Sequence, residues 1–128
     1  MVVIEALYIY LIALRIIYLI MNQALFIEQV WDLTREIPKG KVTSYGAIAK
    51  AIGTPNLSRM VAKAIGACGA AQPPVPYYRV ISSNGLLAGD PSSTAKRQEL
   101  LESEGVEIKN LKVQNLKKVF WNPLIDLE

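Results

Sequence analysis

The sequence predicts a mainly α-helical fold over residues 21–128, a winged helix-turn-helix with a small β-hairpin wing. Two short helical segments follow one another with a glycine between them, which is typical of a helix-turn-helix. An Asn-Gly pair between two apolar runs then predicts a tight hairpin turn. A chain of 128 residues is long enough for one hydrophobic core, so we expect a single domain with an N-terminal extension.

The first half of this domain is predicted to be helical. Apolar residues recur near helical spacing over residues 24–36, and Pro38 ends that helix. The next helix is expected to begin after a cap at Thr43 or Ser44 and to stop at Gly53.

A third helix is expected to be capped by Thr54, with Pro55 in its first turn. One face of this helix is apolar and predicts its buried side: Leu57, Val61, Ala64 and Ile65.

The second half of the domain should contain the hairpin and one more helix. Two short strands are expected around Asn84-Gly85, which forms the turn of the wing. A helix capped at Ser92 or Ser93 should follow and run to about Glu104. Residues 106–120 are expected to form one or two strands or an extended tail.

Residues 1–20 form an apolar extension that leaves three interpretations open. It is a mis-assigned start or a flexible segment, a helix that packs or binds a partner, or a weak membrane anchor. Glu5 and Arg15 interrupt it, and its longest apolar run is nine residues (6–14), where a spanning helix needs about twenty. We therefore expect no membrane partner for the domain.

The composition excludes several kinds of chemistry. The chain has no histidine, which removes Ser-His and Cys-His catalytic schemes and the usual zinc sites. It has one cysteine, Cys68, so an internal disulfide is impossible and a reducing compartment is expected.

Positive charge is concentrated in the middle of the chain. Residues 35–79 carry seven basic residues and one acidic residue, whereas the whole chain has a net charge of only +3. A concentrated basic region indicates a polyanionic partner, and the alternative is a solvated lysine-rich surface.

Four sequence blocks, in this order, carry a resemblance to a known family: "IPKGKVTSYGAIAKAIG", "SRMVAKAIGA", "PYYRVISSNGLL" and "KRQELLESEGVEI". Together they resemble the DNA-binding domain of the O6-alkylguanine-DNA alkyltransferases, also called methylated-DNA-protein-cysteine methyltransferases. The resemblance is closer to the alkyltransferase-like proteins, which lack the acceptor cysteine, and it covers about residues 24–123.

The alkyltransferases have Pro-Cys-His-Arg-Val where this sequence has Pro-Tyr-Tyr-Arg-Val. Tyr77 thus occupies the position of the acceptor cysteine, and Tyr78 occupies that of the histidine that relays its proton. Glu104 matches the glutamate that orients the histidine and is expected to be an orphan here. A phenol with a pKa of about 10 is mostly protonated and is a poorer nucleophile than a thiolate. We therefore expect no catalytic residue and no alkyl transfer.

The resemblance implies a DNA damage recognition protein. Alkyltransferase-like proteins bind O6-alkylguanine from the minor groove, flip the nucleotide, and hand the lesion to nucleotide excision repair without repairing it. Two alternatives stay open: a methyltransferase that uses Cys68 as a non-standard acceptor, and a winged-helix DNA-binding regulator.

The site residues implied by the resemblance fall into two groups. Arg59 matches the arginine that replaces the flipped nucleotide in the base stack, and Tyr45 matches the tyrosine that rotates the phosphate. The full DNA-binding set is Tyr45, Arg59, Lys63, Ser58 and Lys41. The lesion pocket is expected to be lined by Tyr45, Tyr77, Tyr78, Val75, Pro76, Ser82, Ser83 and Leu87.

We expect no cofactor and no metal. The expected partners are double-stranded DNA containing alkylated guanine and nucleotide excision repair proteins, bound by a monomer. The expected location is the cytoplasm, with the nucleoid if the source is bacterial.

Overall fold

The computed structural model describes residues 2–126. Its six helices, within that range, are α1 (Val2–Arg35), α2 (Tyr45–Ile52), α3 (Ser58–Gly66), α4 (Pro91–Ser103), α5 (Leu116–Val119) and α6 (Pro123–Asp126). Its short strands are β1 (Thr43–Ser44), β2 (Val80–Ile81), β3 (Ile108–Lys109) and β4 (Lys112–Val113). The mainly helical fold with little sheet agrees with the sequence prediction.

Helix α1 begins at Val2, far upstream of the start near residue 24 that the apolar spacing predicts. Residues 2–25 are exposed on all sides, and the helix first contacts the core at Phe26 and Ile27. Helix α1 is long and apolar enough to cross a membrane. Signal sequences and the core helices of soluble proteins meet the same criterion. The C-terminal part is fixed to the domain, since Trp31 Nε1 donates to the Ala64 carbonyl over 2.8 Å.

The helix-turn-helix is formed by α2 and α3, which pack on each other and on α1. Ser44 caps α2 by accepting a hydrogen bond from Ala47 N at 3.0 Å, and Gly53 ends the helix with φ of 90°. Both predictions are confirmed. Such a φ is favourable only for glycine, so the stop is specified locally.

The predicted start of α3 is wrong. Thr54 does not cap this helix, because its hydroxyl donates back to the Ala49 carbonyl at the end of α2. The segment 54–57 forms a separate turn, and Leu57 occupies the N-cap position without a side-chain hydrogen bond. Leu57 is also 40% exposed, so the buried face of α3 is formed only by Val61, Ala64 and Ile65.

The hairpin is not where the sequence predicted it. A tight turn does form at Asn84-Gly85, closed by hydrogen bonds between Ser82 and Leu86. However, β2 pairs in parallel with β1, with Thr43 opposite Val80. The antiparallel wing hairpin consists instead of β3 and β4, joined by Asn110-Leu111 with φ of 51° and 61°. Two positive φ values are typical of the two-residue turns that match strand twist.

Helix α4 is capped by Asp90, not by Ser92 or Ser93. The Asp90 carboxylate accepts a hydrogen bond from Ser93 N at 2.8 Å, and Pro91 occupies the first helical turn. Its inward residues are Thr94, Arg97 and Leu101. Leu101 belongs to a second core cluster beneath the wing, whereas α1, α2 and α3 enclose the first.

Candidate nucleic-acid interface

Helix α3 directs positive charge away from the core. Arg59, Met60 and Lys63 are exposed, while the opposite face of the helix is buried. Ser58, the first residue of α3, is half-buried. An exposed basic helix after a tight turn has the form of a DNA-recognition helix. The DNA-binding roles of Arg59, Lys63 and Ser58 stay predictions.

Lys41 has a different environment from the cations of α3. Its Nζ donates to the Lys118 carbonyl at 3.0 Å, which links the start of the helix-turn-helix to α5. A phosphate contact at this position would compete with that bond.

Tyr45 lies at the first position of α2, directly after the Ser44 cap, and is half-buried against the first core cluster. Burial raises the pKa of Tyr45 above its usual value of 10.0, while the charge of Arg97 and a hydrogen bond from its side chain lower it in part. The hydroxyl therefore stays protonated near neutral pH and can donate a hydrogen bond.

The Pro-Tyr-Tyr-Arg block forms a single 3-10 turn over Tyr77–Arg79, directly before β2. Arg79 N donates to the Pro76 carbonyl at 3.0 Å, and the two tyrosine rings meet edge to face with centroids 5.7 Å apart. Because β2 pairs with β1, the strand that ends at the Ser44 cap, this turn is held at a fixed place relative to the helix-turn-helix.

A cavity of about 450 Å³ opens beside this turn. Four predicted pocket residues line it, together with Arg79 and with two residues that the sequence did not single out, Arg35 and Pro74. The full lining is Arg35, Pro74, Val75, Pro76, Tyr77, Tyr78 and Arg79. Arg35 is held there by two hydrogen bonds to the Pro73 carbonyl.

Other predicted pocket residues do not line this cavity. Leu87 is a correction, because it is 8% exposed and packs in the second core cluster with Ile81. The Ser82 hydroxyl closes the turn by donating to Asn84, and Ser83 is exposed at its tip. Tyr45 does not line the cavity either, and like Tyr77 it packs against the first core cluster.

Glu104 is not the orphan that the sequence predicted. Its carboxylate is 5% exposed and forms a bidentate pair with Arg79, with distances of 3.0 Å to Nε and 2.6 Å to Nη2. It also accepts hydrogen bonds from the Tyr78 hydroxyl at 2.7 Å and from Gly40 N at 3.1 Å. Tyr78 thus gives the carboxylate the donor that a histidine would otherwise provide.

The ionisation of this network follows from its contacts. Burial raises the pKa of Glu104, but the hydrogen bonds from Arg79, Gly40 and Tyr78 outweigh it, and the net pKa lies below the usual 4.5. Burial, and then the hydrogen bond to Glu104, raises the pKa of Tyr78 above 10.0. At neutral pH the phenol is neutral, and the charged carboxylate is occupied by four hydrogen bonds, so neither group is placed to act as a nucleophile.

Cys68 is poorly placed to react. It is 8% exposed, in a 3-10 turn after α3, and burial raises the pKa of its thiol although its own backbone, Arg97 and Arg35 lower it in part. A thiol with a raised pKa is little ionised at neutral pH, and this chain has no histidine to activate it.

Arg97 is a site residue that sequence reasoning missed. Its guanidinium lies over the Tyr77 ring, with Cζ 5.0 Å from the centroid, and its Nη1 donates to the Tyr77 carbonyl at 3.1 Å. A signal was present in the sequence, because Thr94, Arg97 and Leu101 have the spacing of one helical face. A charged residue on a buried face is uncommon without a specific role.

Comparison with known proteins gives one consistent family. Residues 25–106 match the family described as 6-O-methylguanine DNA methyltransferase, DNA binding domain. The chain is 36% identical over 98 residues to the DNA base-flipping protein of Vibrio parahaemolyticus, covering 77% of this chain and 97% of the relative. It is 38% identical over 104 residues to alkyltransferase-like protein 1 of Schizosaccharomyces pombe, covering 77% and 95%.

A solved structure shares the fold. The crystal structure of S. pombe Atl1 in complex with damaged DNA containing O6-carboxymethylguanine matches with a TM-score of 0.67 and 38% identity, covering 77% of this chain and 95% of that one. The family match spans more than half of the chain, and the two relatives are covered almost completely. This chain therefore belongs to the 6-O-methylguanine DNA methyltransferase DNA-binding domain family, among relatives named as base-flipping and alkyltransferase-like proteins.

Proposed function

We propose that this protein binds duplex DNA containing O6-alkylguanine from the minor groove, holds the lesion flipped out of the base stack, and transfers no alkyl group. The similarity to base-flipping and alkyltransferase-like relatives supports the recognition of alkylated DNA. The absence of transfer is supported by the chemistry of the residues at the reactive positions.

The observation that carries this proposal is the network around Glu104. In a transferase a thiolate attacks the alkyl carbon, and a base must take the proton of the thiol. Here the acceptor position holds Tyr77, and the relay position holds Tyr78, whose neutral hydroxyl donates to Glu104. The carboxylate is also engaged by Arg79, so it has no free role as a base.

Flipping requires a group that fills the vacated space. Extruding a base costs a few kcal/mol, and the cost is smaller where pairing is already weakened by a lesion. Arg59 is exposed on α3, and its planar guanidinium could stack between bases and donate hydrogen bonds to the unpaired partner base. Tyr45 supplies a protonated hydroxyl that could donate to a backbone phosphate.

Because the alkyl group stays on the base, another process has to remove it. We infer nucleotide excision repair as that process, and the protein would act where the DNA is, in the cytoplasm of a bacterium or in a nucleus. The second candidate is a transferase that acts through Cys68. This is disfavoured because the thiol is buried and its pKa is raised. If the protein were instead a winged-helix regulator, it would bind damaged and undamaged duplexes equally.

A competition experiment tests the proposal. Fluorescence anisotropy would compare duplexes that differ only by one O6-methylguanine. We expect Arg59→Ala to reduce the preference for the lesion by about tenfold, because base stacking contributes about 1–3 kcal/mol. Lys63→Ala is the matched control on the same helix, expected to weaken both duplexes equally as a phosphate contact does.

Two results would contradict the proposal. Equal affinity of the wild-type protein for both duplexes would favour the regulator. Mass spectrometry after incubation with the lesion duplex should show an unchanged protein mass, and a gain of one methyl group that disappears in Cys68→Ser would establish the transferase.

A further inference from the structure

Arg97 is a buried cation without a counterion. Its side chain is on the inward face of α4, and the residue is only 8% exposed. Within residues 2–126 no carboxylate lies within 4.0 Å of its guanidinium, whereas the neighbouring Arg79 is paired with Glu104. Arginine is seldom buried without a charged partner, because removing a charge from water is costly.

Only neutral groups hold Arg97 in place. Nη1 donates to the carbonyls of Tyr77 and Val80, at 3.1 and 3.4 Å, and Nε donates to Ser93 Oγ at 3.3 Å. These bonds fix the position of the guanidinium but do not neutralise it. The Arg97 side chain also forms a hydrogen bond with the Tyr45 side chain, so within the described chain all of its hydrogen-bond partners are neutral.

The charge of Arg97 lies next to two residues of the expected lesion pocket, Tyr77 and Tyr45. The guanidinium covers the ring of Tyr77, which occupies the acceptor position. On its other side the charge acts on Tyr45, whose pKa it lowers against the effect of burial. A substituent on O6 of a flipped guanine points to the acceptor position in a transferase, because that is where the alkyl group is taken. The positive charge thus lies against the residue at the acceptor position, although Arg97 itself is not among the residues that line the cavity.

We propose that Arg97 makes the lesion pocket selective for O6 substituents that carry a negative charge, such as carboxymethyl, over neutral substituents of the same size. This inference rests on the proposed function. An incoming carboxylate supplies the missing counterion and accepts hydrogen bonds from the guanidinium, where only neutral groups accept them now. Hydrogen bonds of this charged kind are about twice as strong as neutral ones.

A relative with the same fold binds DNA that carries a carboxymethyl lesion. S. pombe Atl1 was crystallised with damaged DNA containing O6-carboxymethylguanine. For this chain we add that Arg97 is the residue responsible and that the charge of the O6 substituent, not its size, determines the preference.

The test uses four duplexes that differ at one base: guanine, O6-methylguanine, O6-carboxymethylguanine and O6-carbamoylmethylguanine. The last two have nearly the same shape, and only the carboxymethyl group is charged at neutral pH. We expect the full chain to bind the carboxymethyl duplex about tenfold more tightly than the carbamoyl duplex. Tenfold corresponds to about 1.4 kcal/mol.

Three variants assign the effect to Arg97. Arg97→Gln should reduce the ratio to about one, while Arg97→Lys, which keeps the charge, should retain part of it. Lys96→Gln removes the same charge from an exposed position on the same helix, 57% exposed at the side chain, and should leave the ratio unchanged. Thermal melts check the fold, and Arg97→Met replaces Arg97→Gln if the latter does not fold.

The possible results distinguish a failure of the role of Arg97 from a failure of the proposed function. If all three lesions bind more tightly than guanine but the charged and neutral isosteres bind equally, the role of Arg97 is refuted and the proposed function stands. A preference that survives in a folded Arg97→Gln or Arg97→Met variant refutes it as well. If none of the lesions binds more tightly than guanine, the proposed function itself fails.

Discussion

The Glu104 network should be the most sensitive part of the structure to a single substitution. Glu104 accepts four hydrogen bonds, from Gly40 N, Tyr78, and two nitrogens of Arg79. In Glu104→Gln one carboxylate oxygen becomes an NH₂ group, which cannot accept the hydrogen bond from Arg79, and Arg79 loses its counterion. The amide can therefore satisfy only part of the network.

The magnitude follows from the burial of the pair. The side chains of Arg79 and Glu104 are 14% and 5% exposed, so solvent screens their interaction little. Removing one partner of a buried ion pair costs about 3–5 kcal/mol. For a chain of this size about 4 °C of melting temperature corresponds to 1 kcal/mol, which predicts a decrease of about 12–20 °C.

Differential scanning calorimetry would measure this decrease. Glu102→Gln is the matched control, because it makes the same change at an exposed carboxylate on the same helix and should alter stability by less than about 0.5 kcal/mol. If both variants melt within about 3 °C of the wild type, the network does not contribute to stability as argued here.

Two further predictions concern pH and backbone strain. Because the pKa of Glu104 in the folded state lies below its ordinary 4.5, its contribution to stability is complete above pH 4.5 and is lost as pH falls through the folded pKa. Urea titrations from pH 7 to 3 should show this loss in the wild type and a smaller loss in Glu104→Gln. Gly89→Ala should destabilise the fold by about 2 kcal/mol, because Gly89 has φ of 107° and an added Cβ would lie 2.6 Å from Ser93 Oγ. Gly66→Ala, where nothing lies within 4 Å, is its control and should unfold at the same urea concentration as the wild type or slightly higher.

Local signals predicted the helix-turn-helix well. Ser44 caps α2 and Gly53 ends it, as their residue types indicate, because capping and positive φ depend on a few neighbouring atoms. Local signals failed at Thr54 and at Ser92, where more than one residue could have acted as the cap. Asp90 caps α4 because its carboxylate lies three residues before Ser93 N.

The sequence identified several residues of the site but not the contacts that they make. Tyr77 and Tyr78 were identified from the sequence, and the Pro-Tyr-Tyr-Arg turn does line a cavity. The engagement of Glu104 could not be read from the chain, because its partners Gly40 and Tyr78 are 64 and 26 residues away. Arg97 was missed for the same reason, since its contact with Tyr77 spans 20 residues.

The sequence by itself determined which reactive residues this protein lacks and where α2 begins and ends. The missing histidine and the two tyrosines in place of cysteine and histidine are matters of residue identity, and helix caps are matters of local spacing. Only the tertiary structure decided that Val80 pairs in parallel with Thr43, that Glu104 is engaged, and that an unpaired Arg97 lies against Tyr77. Each of these depends on the packing of segments that are far apart in the chain. Burial in the packed state reduces solvent screening, so interactions between charges become stronger.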